Sequence, residues 1–415
     1  MKERYPSLKL WMLIFLTALL GLSMLVLLPN QPIADELIHL PQIQSFMSGS
    51  MVLSGLVAMP PGFHYSIASI AGFLNLNNLT DLRAINATFT LFCPILFWLY
   101  LKLDEGQFKN IRSTQLLLSP IVWPFFFLLY TDLSSLFLVL AGLVLVKQHH
   151  VIPAALICTI SLAFRQNNVF WIALLWLIAI IQAFPLNFSI KKNGFNTSQF
   201  FKELAQSFQK TAVFLIPLGA FALFVYLNGG VAMGNKDLHQ ASGIYPTQIF
   251  FCLLVIWIVL LPLHIHNLPV IFSIVLKHKL IIVGLIMLAS LYLISFDISH
   301  PYNFPSDYFI RNWMLYKLKD HPAWRLLAFL PMAWALLSIA TTRLKDTAYY
   351  WLYPITLISL LPVHLIEQRY YIIPLALFLL FRSPTSRGWE AALLAWGLVL
   401  SGLVTYGILS MKIFL

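Results

Sequence analysis

The stretch Pro-Pro-Gly-Phe-His-Tyr-Ser-Ile-Ala-Ser-Ile-Ala-Gly-Phe-Leu, residues 60–74, decides how this chain is read. Its apolar part runs only from Gly62 to Leu74. A helix that crosses a bilayer needs about 20 apolar residues, and pieces of about 10–14 are more often interfacial or re-entrant. Residues 30–82 therefore read as one long loop between apolar runs at 9–29 and 84–101, with amphipathic helices lying on the membrane. Leu37, Leu40, Ile43 and Phe46 recur at three- and four-residue spacing and predict one apolar helical face in that loop. Counting 62–74 as a span would put every later loop on the other side of the membrane.

Outward from that loop the chain is apolar almost throughout. Of its 415 residues 60% are hydrophobic and 10% charged, against about 45–50% and about 25% in soluble domains. A soluble enzyme, a disordered chain and a nucleic-acid-binding module are excluded, and an all-α polytopic membrane protein remains. Further spans are expected at 114–130, 133–146, 151–164, 168–184, 211–228, 246–264, 280–296, 324–341, 348–364, 370–381 and 389–410. With 9–29 and 84–101 that makes about 13 (11–13 if the shortest fail to cross), in a single integral-membrane domain over 1–415. Cys93, Cys158 and Cys252 lie in apolar runs and form no paired spacing.

The net charge of +11 tests this arrangement. With the N-terminus in the cytoplasm, nine of the 26 basic residues fall outside: Arg83, Arg165, Lys236, Arg311, Lys317, Lys319, Arg325, Arg369 and Lys412. The other 17, among them Lys2, Arg4, Lys102, Arg112, Lys147, Lys191, Lys192 and Arg382, fall inside, as the positive-inside rule requires. The same topology makes 30–82 the first extracytoplasmic loop, with further ones at 229–245 and 297–323. It also gathers Asp35-Glu36, Asp132, Arg165-Gln166-Asn167, Lys236 with His239, His300 and Glu367-Gln368-Arg369 on one rim. Polar groups of both signs abutting helix ends on one side read as a single polar site.

Each group has a functional and a structural reading. Asp35 precedes His39 by one helical turn, which suits a general base tuned by an imidazole; Asp35 or Glu36 can equally cap a helix after Pro32. Arg165 can fork onto a phosphate or snorkel. Lys236 and His239 suit a phosphate or form an ordinary solvated loop. Glu367 and Arg369 can serve a ligand or pair with each other. Asn78-Leu79-Thr80 is a glycosylation sequon on the outer side. Metal-ligand spacing, a Walker loop, GxGxxG and a nucleophile elbow are all missing from the sequence.

Seven segments in order carry a resemblance: ADELIHLPQIQSF (34–46), PPGFHY (60–65), LYTDLSS (129–135), FRQNNVFW (164–171), GNKDLHQASGIYPTQIF (234–250), HPYNFPSDYFIRNWML (300–315) and IEQRYYIIP (366–374). Together they resemble the dolichyl-phosphate-glucose-dependent alpha-1,2-glucosyltransferases that add the terminal glucose of the lipid-linked oligosaccharide. The chain departs from that family before Pro60, where VLSGLVAM lacks the family's acid and threonines, and at Asp132, where the family has a glutamate.

The resemblance implies a fold of the GT-C glycosyltransferase type and a polyprenyl- or dolichyl-phosphate sugar as donor. It implies a glycan or lipid-linked oligosaccharide as acceptor, membrane lipid as surroundings, no nucleic acid, and transfer of a hexose with inversion. It makes Asp35 the expected base, with Glu36 second. Arg165, Lys236, His239 and Arg369 become candidates for the donor phosphate, and His39, Asp132, Gln166, Asn167, His300 and Glu367 candidates for orienting acceptor or base. No cofactor is required on this reading, and a divalent metal stays open. The membrane is that of the endoplasmic reticulum in a eukaryote or the inner membrane in a bacterium, with the site extracytoplasmic. The rival readings are a mannosyl- or aminopentose-transferase with the same donor chemistry, and a transporter or lipid flippase, against which the missing internal repeat counts.

Overall fold

The computed structural model describes residues 8–104, 106–184, 197–239, 241, 243–304 and 308–415. Lys2, Arg4, Lys191 and Lys192 of the charge argument, and residues 240, 242 and 305–307 of the quoted motifs, lie outside the described residues. Among the described residues the chain is all-helical, with two isolated β-bridges in place of any sheet.

The first long loop is helical, as its composition predicts. After α1 (Leu8–Leu27) come α2 (Glu36–Met47), α3 (Gly62–Leu74) and α4 (Leu79–Thr90). The apolar face predicted for α2 holds in part: Ile43 is buried and Leu40 and Phe46 pack against the core beneath the loop, whereas Leu37 is 64% exposed and Glu36, His39 and Gln42 are buried as well. The polar residues on the inward side serve hydrogen bonds: Gln42 donates to the Val52 carbonyl and accepts from the Ser54 amide. Ile43, Phe63, Ile67, Ala71, Leu82 and Leu129 close a small separate core beneath the loop. Gly62 lets α3 reach α8 (Val151–Phe164), since a Cβ there would lie 2.5 Å from the Ala163 carbonyl oxygen. Asn78 caps α4, its Oδ1 accepting from the Asp81 amide at 2.8 Å.

Between these flanking elements run α5 (Cys93–Leu103), α6 (Lys109–Leu117), α7 (Thr131–Lys147), α9 (Asn168–Ala183), α10 (Thr197–Thr211), α11 (Leu215–Asn228), α12 (Pro246–Val259), α13 (Leu261–Lys277) and α14 (Leu280–Ile294). They are followed by α15 (Ile310–Asp320), α16 (Pro322–Thr341), α17 (Leu352–Leu360), α18 (Ile372–Phe381) and α19 (Arg387–Leu409). Four continuous stretches are long and apolar enough to cross a membrane: Leu79–Leu103, Thr197–Asn228, Pro322–Thr341 and Arg387–Leu409. A fifth exists if α12 and α13 count as one span bent by 101°. Shorter apolar helices, such as Val151–Phe164, Asn168–Ala183 and Leu280–Ile294, accompany them.

Two expected spans and one expected loop take another form. The run 114–130 is broken after Leu117, because Pro120 and Pro124 deny the helix its amide donors, and it continues as a buried irregular segment with a short 3₁₀ turn at Trp123–Phe126. Residues 265–279, expected as loop, are helical in α13, which Pro262 starts afresh. All ten residues of α18 are buried, so 370–381 is an interior helix, apolar on every side because it faces protein all round. By contrast α14 buries only Tyr292 and exposes Leu280, Met287 and Ile294, the surface of an integral membrane protein turned to lipid.

Candidate active site

The starts of α2, α9 and α15, the end of α8, the segment 235–239 and the turn before α18 meet at one end of the bundle, around a cavity of about 530 Å³. Of the residues expected to form a site, Asp35, His39, Arg165, Gln166, Asn167, His239, Glu367 and Arg369 line it.

Asp35 occupies the N-cap position of α2, but its side chain makes no capping hydrogen bond. The carboxylate turns to the Arg369 guanidinium instead, Oδ2 to Nη1 at 2.5 Å, and stays 32% exposed. Its backbone amide donates to the Tyr130 hydroxyl at 2.9 Å. The capping reading of Asp35 is thereby corrected. Burial pushes the Asp35 carboxyl up, but the Arg369 charge beside it, with Arg311 further off, holds it below the ordinary carboxylate value.

Glu36, next in sequence, has a different fate. It is wholly buried and outside the cavity lining. Its two oxygens take both forks of Arg83 (2.9 and 2.5 Å) and the amides of Ile33 and Leu129 (each 2.9 Å). A carboxylate with four donors and no open face is a clamp between the first loop and the segment before α7, which corrects its place as second base.

Arg369 is the centre of an alternating chain of charge. It reaches Asp35 on one side and, through Nε, Glu367 Oε2 at 2.7 Å on the other. Glu367 Oε1 accepts from Arg311 Nη1 at 2.9 Å. Arg165 pairs with Asp132 in a small pocket that adjoins the cavity through Arg165, Asn167 and Arg369. Three carboxylates thus face three guanidiniums. The rim histidines add no charge: burial lowers His239 and then the neighbouring His300 lowers it further, while burial lowers His300 against the pull of the Leu238 carbonyl.

Behind Asp35, His39 Nδ1 and His64 Nε2 lie 2.9 Å apart, both rings buried. Burial lowers both, His39 to about 4 despite the nearby Asp35 carboxylate, and His64 further still with His39 beside it. Two neutral imidazoles therefore share one hydrogen bond. Gln166 donates to the Ala58 carbonyl. The amides of Met233, Gly234 and Asn235 bond to the carbonyls of Ala58, Val57 and Gly55, which closes the rim.

Two expected ligand groups stand outside the cavity. Lys236 is exposed and its ammonium donates to the Asn228 carbonyl at 2.5 Å, at the end of α11. His300 bridges the Leu238 carbonyl and the Tyr302 amide, so it holds the 236–239 turn and does not face the cavity. The residues that the sequence reading passed over are Arg311, His64 and Tyr130. All three lie inside quoted motifs, and Arg311 stands in the first turn of α15, apart from Lys317 and Lys319 in its last. Among the described residues no three His, Cys, Asp or Glu side chains converge as a metal site would need.

A sequence profile of the DIE2/ALG10 family matches residues 29–380. Among curated proteins the chain is similar to a Yarrowia lipolytica protein, 31% identical over 54% of this chain and 47% of that one. It is also similar to relatives from Candida albicans (25% identical, 85% and 84% covered) and Arabidopsis thaliana (24%, 93% and 92%). All three are named Dol-P-Glc:Glc(2)Man(9)GlcNAc(2)-PP-Dol alpha-1,2-glucosyltransferase.

Proposed function

The chain belongs to the DIE2/ALG10 family, and from that membership we propose that it is a membrane alpha-1,2-glucosyltransferase. It moves glucose from dolichyl-phosphate glucose to the lipid-linked oligosaccharide Glc(2)Man(9)GlcNAc(2)-PP-Dol, the substrates in its relatives' names. The observation that carries the reading to particular residues is the Asp35 carboxylate, free of its cap and open to a 530 Å³ cavity lined with arginines.

The acceptor hydroxyl sits against Asp35, which takes its proton. The hydroxyl oxygen attacks the anomeric carbon, the bond to the phosphate oxygen breaks, and the electron pair leaves with the lipid phosphate from the opposite face. A β-linked donor gives an α-linked product with one base and no covalent intermediate. Arg369, supported by Arg165, meets the charge of the leaving phosphate. In the resting site Arg369 is held by Asp35 and Glu367. An incoming phosphate competes for it, loosens the Asp35 pair and makes that carboxylate a stronger base when the acceptor is present. His39 and His64, neutral and bonded to each other, position the start of α2. The reading places the site on the lumenal side of the endoplasmic reticulum membrane, in a GT-C-type fold of 11–13 spans, and routes no charge through a metal. The nine-to-17 charge asymmetry and the short apolar helices support that architecture.

The test is transfer by the purified chain in detergent. With dolichyl-phosphate glucose and the diglucosylated acceptor, one glucose in α-1,2 linkage is expected. Transfer from dolichyl-phosphate mannose instead, or transport of lipid without transfer, would overturn the reading.

A further inference from the structure

A second cavity, of about 260 Å³, lies between α12, α15 and α19, and its lining is apolar except for two residues, Arg311 and Gln368. Its outer end reaches Leu403, 62% exposed on the face of α19 turned to lipid. Its inner end is Arg311, which also lines the polar cavity. The guanidinium belongs to both spaces, and its Nε is buried without a hydrogen-bond partner among the described residues. Gln368 is 4% exposed, and neither its amide oxygen nor its amide nitrogen has a partner among the described residues. Its neighbours Glu367 and Arg369 both face the polar cavity. A buried amide and a buried guanidinium nitrogen left unpaired at the head of an apolar cleft are groups waiting for a polar ligand that arrives with an apolar tail.

We propose that this cleft holds the isoprenoid chain of the lipid-phosphate donor, with the phosphate at Arg311 and Gln368 and the sugar beyond, in the Asp35 cavity. The inference rests on the glucosyltransferase reading and adds the path by which the donor enters. An amphiphile of this class cannot pass through water at any cost it can meet; it needs a continuous apolar route that ends on a cation. Ile258 of α12, Met314 of α15 and Val404 of α19 form that route, and Arg311 ends it. Arg311 then meets the phosphate from the lipid side while Arg369 meets it from the sugar side.

Val404→Trp fills the cleft. The unaltered chain is expected to use dolichyl-phosphate glucose with a KM lower by about tenfold or more than that of an analogue with two isoprene units, since each buried methylene contributes severalfold. Val404→Trp is expected to raise the KM for dolichyl-phosphate glucose to that of the short donor and so erase the preference. A variant that retains the full preference overturns the inference. A second measurement is independent of turnover: a diazirine-bearing polyprenyl phosphate is photolysed with the unaltered chain, and labelling is expected at Met314 and Leu403, blocked by polyprenyl phosphate. Labelling confined to other helices, or blocked equally by phosphatidylcholine, overturns it. A chain that photolabels as expected but transfers no glucose would sink the function and leave the lipid site standing.

Discussion

Two buried ionic regions lie at opposite ends of α7 and α18, and they are built from the same residue types. At one end Asp35, Arg369, Glu367 and Arg311 form a chain around an open cavity, with Asp132 and Arg165 beside it. At the other end, about 25 Å along the 17-residue α7, Asp104 accepts from Lys147 and Lys345 at 2.6 and 2.9 Å. Near it Arg382 forks onto Glu390 at 2.7 and 2.6 Å, Gln115 bridges the pair, and Arg112 grips the last carbonyls of α18. Arg382 and Glu390 are 0% exposed and line none of the cavities described. Buried charge alone therefore marks no site. The closed region spends its charges on itself and on helix ends; the open one leaves a carboxylate one-third exposed on a cavity.

The largest effect separating the two is on stability. Arg382→Met strands the Glu390 carboxylate and is expected to cost about 3–5 kcal/mol, read as a large fall in melting temperature, while folded molecules keep their kcat. Arg382→Met with Glu390→Leu should recover much of that loss. If Arg382→Met lowered kcat without lowering stability, the closed region would be no mere scaffold. At the open end the sign reverses. Arg369→Lys keeps the charge and removes the fork, so stability is held and the donor KM is expected to rise about tenfold, the worth of one charge-assisted hydrogen bond. An unchanged donor KM would remove Arg369 from the phosphate.

A smaller effect follows from pH. His39 is held neutral, its value pushed from 6.5 down to about 4 by burial. Between those values the unfolded chain binds the proton that the folded one refuses, so folding stability falls as pH drops through that window. Asp35, depressed by Arg369, acts in the same direction at lower pH. Melting temperatures at pH 7 and pH 5 should differ less in His39→Asn than in the unaltered chain; an equal difference would mean another group carries it. Smallest of all, Lys236→Ala is expected to change stability by less than about 0.5 kcal/mol and to leave donor KM as it was. EDTA should likewise leave transfer unaltered, and loss of transfer restored by a divalent cation would bring a metal into the mechanism.

The all-helical membrane class, the helical first loop and most of the charged residues that line the cavity were legible in the sequence, because apolar runs, proline breaks and polar helix ends are local signals. What was not legible is pairing across distance. Asp35 and Glu36 look alike as neighbours, yet they point about 100° apart at a helix start; one meets Arg369 in the cavity and the other meets Arg83, 47 residues away, in the core. No local pattern distinguishes these fates. The burial of Glu36 and His39 on α2 was hidden for the same reason, since their partners come from α3, α4 and the segment before α7. Span counting failed where a helix is apolar because protein surrounds it, as in α18, and where prolines interrupt an apolar run, as at Pro120 and Pro124.

The contrast between those two neighbours gives the most direct test. Glucose transfer and melting temperature are measured for Asp35→Asn and Glu36→Gln. Asp35→Asn is expected to lower turnover by about 10²–10⁴-fold, the usual worth of a general base, with the melting temperature kept. Glu36→Gln is expected to lower stability, through the loss of its charge opposite Arg83, without a matching loss of turnover per folded molecule. Asp35→Asn transferring glucose at the normal rate would contradict the assignment of the base, and with it the site as described.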